Sequence, residues 1–281
     1  MAEKPSISDR YKLPIPQPLQ DAVDEIALNS PLVTETQADL DDYKKRWLVV
    51  GICLHSVIAP ALRNYIVPIL TVLYDELNRS NKIETQIYPT HLQQYPRTHA
   101  VLNYEAVNNN KGLYRYQKAK CDYTIKNAVE LSKLFQPTHM AHYTGFDETC
   151  ETSGLLELVI NIDKFAPDVR SDAVEVRKDI GETDINIVIV FFFIVRRNLR
   201  NPWAHCNFSE WDAAKYSNAF ILMEKLVLDM NLSSNEENQT IGKLKKWEIN
   251  GEQFLSGTTV GFELFNELRQ QTCVLGNMQD K

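Results

Sequence analysis

The sequence predicts an all-α fold, a helical bundle followed by a C-terminal helical extension. Apolar residues recur at steps of three and four along at least five segments, which is the spacing of an amphipathic helix. No strand–turn–strand pattern recurs, and stretches rich in Pro or Asn separate the periodic segments. The 281 residues are 44% hydrophobic and 24% charged, which is the composition of an ordinary soluble globular protein.

The N-terminal part divides into a lead-in and a long core helix. Residues 1–34 contain five prolines and little apolar periodicity, which predicts an extended or disordered segment. The main helical domain is expected to cover 35–232. Its first helix carries a broad apolar stripe over 47–77, and we expect Pro60 and Pro68 to kink it or split it in two.

The other periodic segments are shorter. They predict helices at 113–135, 153–164, 168–180, 210–230, 236–249 and 258–271. Ser209 is the expected N-cap of the long helix at 210–230, because its hydroxyl can accept a bond from a free N–H of the first turn. The last two helices form a C-terminal helical appendage, 233–281.

The segment 181–199 fits neither pattern. Ten of the eleven residues in 185–195 are apolar, a run too short to span a hydrocarbon core of about 30 Å. Its β-branched and aromatic content favours a buried strand, yet nothing else in the chain offers a strand partner. Deleting 181–199 joins the helix at 168–180 directly to Arg200, and Phe, Ile and Val are encoded by the T-rich nucleotides common near intron ends. We therefore also consider an insert that is a retained or mis-predicted intron.

Charge and cysteine content restrict the partners and the compartment. The net charge of −7 argues against a general nucleic-acid coating role, because such binding comes mainly from Lys and Arg. The five cysteines are scattered, without a C-x-x-C pair, which favours reduced thiols in the cytoplasm. The N-terminus lacks the apolar core of a signal peptide, so we expect a cytoplasmic protein without membrane association.

Two histidines close in sequence raise the question of a metal site. His139 and His142 are close in sequence, and Cys150 follows them. Zinc sites usually take four ligands from tightly paired spacings, and no second pair accompanies this one. We expect neither a metal nor another cofactor.

Arg200 and His205 are the only combination that suggests chemistry. An Arg can hold a phosphate oxygen and a His can move a proton near neutral pH, which are the groups a metal-free RNA-cleaving site needs most. A charged loop that caps a helix explains the pair as well. Trp203 and Trp211 are expected to be core residues that grip this loop, with RNA stacking by Trp203 as the alternative. A Cys206–His205 nucleophile pair is disfavoured, because adjacent residues usually point apart.

The motif Arg200-Asn201-x-x-x-His205, between a helix at 168–180 and a long helix opening near Trp211, resembles the HEPN superfamily. The likeness is to the variant found in the DAZ-interacting zinc-finger ubiquitin ligase and in many invertebrate receptor-like proteins, and it covers roughly 40–230. The supporting context is Val50-Gly51-x-x-Leu54 with Ala61-Leu62-Arg63, then Phe146-Asp147-x-Thr149 before Leu155-Leu156-x-Leu158.

This resemblance implies an all-α homodimer in which two Arg-x4-His motifs meet, and active members cut RNA without a metal. Carried onto this chain, His205 would be the general acid or base on the 2′-hydroxyl or the leaving 5′-oxygen. Arg200 would hold the scissile phosphate, and Asn201 would position one of them. Arg196 and Arg197 would add affinity for the RNA backbone.

A second function from another class remains open. Many eukaryotic relatives serve as interaction modules, so the chain is alternatively a non-catalytic helical dimerisation or interaction module in an immune-like or ubiquitin-linked pathway. In that case Arg200 and His205 tie helices together, and the acidic net charge favours a protein partner over long RNA.

Overall fold

The computed structural model describes residues 41–96, 99–165 and 192–255. The predicted lead-in at 1–34 and the predicted helices at 168–180 and 258–271 lie outside these ranges. Within the described ranges most residues are helical and no strand is present, so the all-α prediction is confirmed. An isolated antiparallel bridge joins Gln94 and Val101 there.

The helical elements differ widely in length. The α-helices are α1 (Asp42–Cys53), α2 (Ala59–Asn81), α3 (Leu113–Tyr116), α4 (Ala128–Lys133), α5 (Thr152–Asn161), α6 (Asn201–Ala204), α7 (Ala213–Asp229) and α8 (Ser234–Leu255). The π-helical turns are Leu54–Ile58 and Arg196–Arg200.

The chain packs as two units. The described part of unit 1 comprises 41–57, 201–224 and 241–255. The described part of unit 2 comprises 58–96, 99–165, 192–200 and 225–240. Each unit has buried apolar side chains of its own.

The predicted long core helix is present and interrupted once. Asp41 caps α1 by accepting a 2.9 Å hydrogen bond from the Lys44 N–H. The π-helical turn Leu54–Ile58 separates α1 from α2, and Pro60 lies in the first turn of α2, where a missing N–H removes no helical bond. The predicted interruption near Pro60 is therefore confirmed, whereas Pro68 lies inside α2 without ending it.

The whole path Asp42–Asn81 is 40 residues long and apolar enough to cross a membrane by length and composition. Inside the protein, 44% of its apolar window is buried, and a core helix of a soluble protein passes the same test. The expected absence of membrane association stays a prediction.

Unit 1 is organised around aromatic side chains. The Trp47 and Trp203 rings stack with centroids 5.6 Å apart, and Phe208 meets Trp47 edge-on at 5.0 Å. Tyr216 and Phe220 of α7 form a second edge-on pair at 5.1 Å. These rings exclude water from one face of α1, which leaves the side chain of Trp47 almost fully buried.

Unit 2 is built on α2. Its buried face, with Leu62, Ile66 and Leu70, packs against α4 and α5. Helix α5 confirms the helix predicted at 153–164 except for its end, since the chain leaves the α-helix after Asn161. Burying each of the three apolar side chains Leu62, Ile66 and Leu70 stabilises the fold by about 1.5–3 kcal/mol.

The helix predicted at 113–135 is wrong over most of its length. Only α3 and α4 are α-helical there, because side-chain amides bind the intervening backbone in a non-helical path. Asn110 Nδ2 donates to the Asp122 carbonyl at 2.7 Å, and Asn108 Nδ2 donates to the Thr124 carbonyl at 2.6 Å. Tyr123, one of the apolar residues that imitated a helix, is buried from an extended segment, whereas Tyr116 is exposed.

The predicted helix ends in the C-terminal half are corrected in two places. Helix α7 begins at Ala213, and Asp212 rather than Ser209 caps it, since its carboxylate accepts a 2.7 Å bond from the Lys215 N–H. Helix α8 continues to Leu255, beyond the predicted end at 249, and the sequence 250–255 contains no Pro that would stop it.

Within the apolar segment 181–199, the part that the structure describes, 192–199, is helical. Residues 192–195 lead into the π-helical turn, and Phe192, Val195 and Leu199 are buried at the three-and-four spacing of one helix face. Phe192 stacks on Tyr65 of α2 at 6.2 Å. The strand interpretation is therefore wrong for 192–199. The insert and intron hypothesis stays a prediction, and residues 181–191 lie outside the described ranges.

Candidate functional site

The predicted motif residues are divided between the two units. Arg196, Arg197 and Arg200 belong to the π-helical turn of unit 2, whereas Asn201, Trp203 and His205 belong to unit 1. π-Helical turns are frequent at functional sites, because they change which face a side chain occupies.

The π-helical turn is fixed by one apolar and one ionic contact in unit 2. Leu199 is buried, and the turn packs against α5. Arg196 forms an ion pair with Glu157 of α5, whose other oxygen accepts a 3.0 Å bond from Asn161. The charge of Arg196 is thus matched by an internal carboxylate.

Arg200 and Arg197 have different surroundings. Burial lowers the pKa of Arg200, the Glu151 carboxylate opposes that shift, and the positive Arg196 adds to it. A guanidinium keeps its proton at neutral pH even so. Arg200 is half-buried, while Arg197 and the neighbouring Asn198 are exposed on the same turn. Besides the paired Arg196, the turn consequently combines one sheltered cation, Arg200, with one solvent-facing cation, Arg197.

His205 is exposed at the end of α6. Its backbone N–H donates a 3.0 Å bond to the Asn201 carbonyl, and the Cys206 N–H donates a 3.1 Å bond to the Trp203 carbonyl. Cys206 has a φ of 53°, the left-handed conformation that ends a helix. This short turn, closed by two backbone hydrogen bonds, presents the imidazole to solvent.

Trp203 anchors the same turn to α1 of unit 1. Its carbonyl accepts a 2.8 Å bond from the indole Nε1 of Trp47, and its ring meets His55 edge-on at 5.1 Å. A Cβ at Gly51 would collide with the Trp203 indole, so the glycine permits this close approach. Trp203 is therefore a packing residue of unit 1, as is the buried Trp211.

The alternative chemical groups considered from sequence do not come together. His139 and His142 are exposed, whereas Cys150 is buried with its pKa raised by burial to about 12. Among the described residues, no group of three or more His, Cys, Asp or Glu side chains could hold a metal ion. Burial also raises the pKa of Cys206, which disfavours its thiolate.

The sequence predictions missed one surface in unit 2. We call it the tyrosine–lysine surface, and its residues line an open pocket of about 490 Å³: Tyr88, Arg115, Tyr116, Gln117, Lys118, Ala119 and Lys120. The signal was present in the interleaved aromatic and basic residues of 111–120. The prediction of a helix at 113–135 hides this signal, because it counts every apolar residue of the segment toward a core.

A scan against protein-family models, a search of curated proteins and a search of solved structures each found no significant match to the chain. The resemblance to the HEPN superfamily stays a prediction from the sequence motif and its predicted helical context.

Proposed function

We propose that this chain is a HEPN-type RNA-binding protein with metal-independent endoribonuclease activity, carried by Arg200, Asn201 and His205. The observation that supports it best is the exposed imidazole of His205 on a turn that Trp47 and Trp203 hold in place. A general acid or base must be both accessible and positioned; the imidazole is exposed, and the backbone of His205 is bonded to the Asn201 carbonyl, which supports the proposal.

The proposed chemistry needs only groups of the chain and the RNA. The ribose 2′-oxygen attacks the adjacent phosphorus while the bond from phosphorus to the 5′-oxygen breaks. The products are a 2′,3′-cyclic phosphate and a free 5′-hydroxyl. His205 takes the proton of the 2′-hydroxyl or gives one to the departing 5′-oxygen, a contribution of roughly 10²–10⁴ in rate.

In this proposal Arg200 stabilises the charge on the phosphoryl oxygens, and Asn201 aligns the reacting groups. A guanidinium that remains charged can stabilise the negative charge that builds on the phosphoryl oxygens. Asn201 can position the phosphate or the imidazole by hydrogen bonding. The proposed homodimer would supply the second motif that HEPN nucleases use.

The contacts of Arg196, Arg197 and Trp203 decide which of these predicted RNA-binding residues remain in the proposal. Arg197 is exposed and remains a phosphate contact. Arg196 pairs with Glu157, and Trp203 stacks on Trp47, so neither is included among the residues proposed to contact RNA.

Cleavage of single-stranded RNA in the presence of EDTA tests the proposal. The purified full chain should yield fragments with cyclic phosphate and 5′-hydroxyl ends. His205→Ala should abolish the cut without lowering the melting temperature, because the side chain is exposed. His139→Ala, at another exposed histidine, is the matched control and should cut normally. Wild-type protein that leaves RNA intact, or a His205→Ala variant that still cuts, would refute the nuclease.

The non-catalytic interaction module is kept as a second candidate because of one observation. The central residue of the motif, Trp203, is committed to α1 through Trp47 and Gly51, so the motif serves packing within unit 1 whether or not it serves chemistry. This candidate predicts no cleavage under any condition. It also predicts that His205→Ala lowers the melting temperature or dissociates a dimer, as read by analytical ultracentrifugation.

A further inference from the structure

We propose that the tyrosine–lysine surface of unit 2 binds single-stranded RNA, with its basic residues on the phosphates and its exposed tyrosines against the bases. The ligand class rests on the proposed RNA function, whereas the surface is separate from the Arg200–His205 motif. All of its residues lie within unit 2.

The surface concentrates positive charge on an acidic protein. The net charge of the chain is −7, yet 111–120 holds four basic residues and no acidic one. The nearest acid along the chain, Asp122, turns its carboxylate to its own loop. There it accepts bonds from the Thr124 N–H at 2.9 Å and the Thr124 hydroxyl at 2.7 Å. Among the residues that the structure describes, no ion pair involves Arg115, Lys118 or Lys120, so a polyanion can meet their charges.

Aromatic rings accompany these charges. Tyr116 is 75% exposed and Tyr88 is 45% exposed, both unusual for large side chains that could pack inward. Arg115 lies 5.3 Å from the Tyr116 ring centre, and Lys118 lies 5.1 Å from that of Tyr114. Such cation–π contacts orient the basic groups while leaving them accessible.

A stack of aromatic rings, Tyr88, His91 and Tyr123, packs against the tyrosine–lysine surface. Tyr88 stacks on His91 at 6.1 Å and on Tyr123 at 6.1 Å, and His91 and Tyr123 stack at 3.8 Å. The Tyr123 hydroxyl donates a 2.9 Å bond to the Lys118 carbonyl, which ties the basic segment to the same stack. A base placed on the outer face of Tyr88 would extend a stack that already exists.

The shape suits a nucleotide. The pocket of about 490 Å³ falls within the range of roughly 300–1,000 Å³ that holds small ligands, and it is open enough for a strand to continue. An acidic peptide would satisfy the lysines and the arginine alone. The exposed tyrosines add a preference for flat rings, which single-stranded nucleic acid offers at each base. These observations favour RNA over an acidic protein.

Equilibrium binding of a fluorescent uridine-rich RNA with 2′-O-methyl riboses tests the inference, because such RNA cannot be cut through its 2′-oxygen. The full chain with Arg115→Glu, Lys118→Glu and Lys120→Glu should bind at least about tenfold more weakly. Its plot of log affinity against log salt should lose a slope of about 2, at about 0.7 for each phosphate contact. Tyr88→Ala with Tyr116→Ala should weaken binding about fivefold or more while leaving the salt slope unchanged.

The matched control reverses three exposed lysines elsewhere, Lys126→Glu, Lys225→Glu and Lys243→Glu, and should alter affinity by less than about twofold. Equal weakening by both triple variants would overturn the inference, since net charge alone would then explain it. So would undiminished binding by the tyrosine variant, or equal affinity for an abasic strand or a polyglutamate peptide.

The design separates this inference from the nuclease. A chain that binds the methylated RNA through this surface but cuts no unmodified RNA supports the surface and refutes the nuclease. If the wild-type chain cuts unmodified RNA and the charge-reversed variant binds and cuts normally, the nuclease is supported and the surface is refuted.

Discussion

The indole Nε1 of Trp47 donates a 2.8 Å hydrogen bond to the backbone carbonyl of Trp203, and the two rings stack with an interplanar angle of 13°. One residue thus satisfies a buried donor and covers an apolar ring at once. The contact joins α1 to the turn that carries His205 within unit 1. Its strength decides how precisely that imidazole is held.

Gly51→Ala should destabilise the protein through this contact. The added methyl group collides with the Trp203 indole, and overpacking of this kind costs about 1–3 kcal/mol. The gain in helix propensity from Gly to Ala offsets up to about 1 kcal/mol. We expect a net loss of about 1–2 kcal/mol in the free energy of unfolding, measured by urea denaturation.

Gly242→Ala is the control for that loss. Gly242 lies inside α8, where an added methyl group meets nothing within 4 Å. The same replacement should stabilise by up to about 1 kcal/mol. Two variants that move stability in the same direction would contradict the proposed collision.

Acidification should weaken unit 2 through His91. Burial lowers the pKa of His91 below its usual 6.5, and the positive Lys118 nearby adds to the shift. Between the lowered pKa of His91 in the folded protein and 6.5 in the unfolded chain, the unfolded chain binds more protons than the folded one. The contribution of the neutral histidine is complete above pH 6.5 and is lost as the pH falls through the lower folded-state pKa. Urea midpoints measured between pH 8 and pH 5 should record the decline.

His91→Phe should remove that part of the pH dependence, because the ring stack with Tyr123 can persist without a titrating group. The same replacement at the exposed His139 should leave the decline in place. A His91→Phe profile that matches wild type throughout would show that other groups control acid stability.

Gln86→Leu should cost about 2–4 kcal/mol in the free energy of unfolding. The buried Gln86 amide donates to the Tyr104 hydroxyl at 2.9 Å and to the Tyr123 carbonyl at 2.6 Å, and its oxygen accepts from the Leu92 N–H at 3.0 Å. Leucine has a similar size but leaves the Tyr123 carbonyl and the Leu92 N–H without the Gln86 partner, while the Tyr104 hydroxyl keeps its 2.8 Å bond to the Leu92 carbonyl. The measurement is again urea denaturation.

Gln94→Leu places the same change at an exposed side chain and should stay within about 0.5 kcal/mol of wild type. A comparable loss at both positions would mean that the Gln86 network contributes little.

Apolar spacing was sufficient to predict the long helices. The stripe from Trp47 to Leu77 needs only local periodicity, and α1, α2 and α5 follow it. The spacing failed around Tyr123, because Asn108 and Asn110 hold the backbone there through bonds to residues more than ten positions away. Side-chain bonds of this kind leave no periodic trace in a sequence.

The candidate site was predictable only in part. Residue chemistry marked His205 and Arg200, but exposure of the first and partial burial of the second depend on tertiary packing. The partner of Arg196 could not be foreseen, since Glu157 lies in a different helix. The tyrosine–lysine surface could not be predicted without knowing that 117–127 is not α-helical.

The helical face formed by Phe192, Val195 and Leu199 bears on any transcript that skips the codons for 181–199. The shortened polypeptide would lose three side chains from the interior of unit 2 and uncover the ring of Tyr65. Chaperones bind proteins with exposed apolar surface of this kind, and proteases degrade them. Cells making that shorter message would accumulate little of its product, so the longer message is the one expected to yield lasting protein.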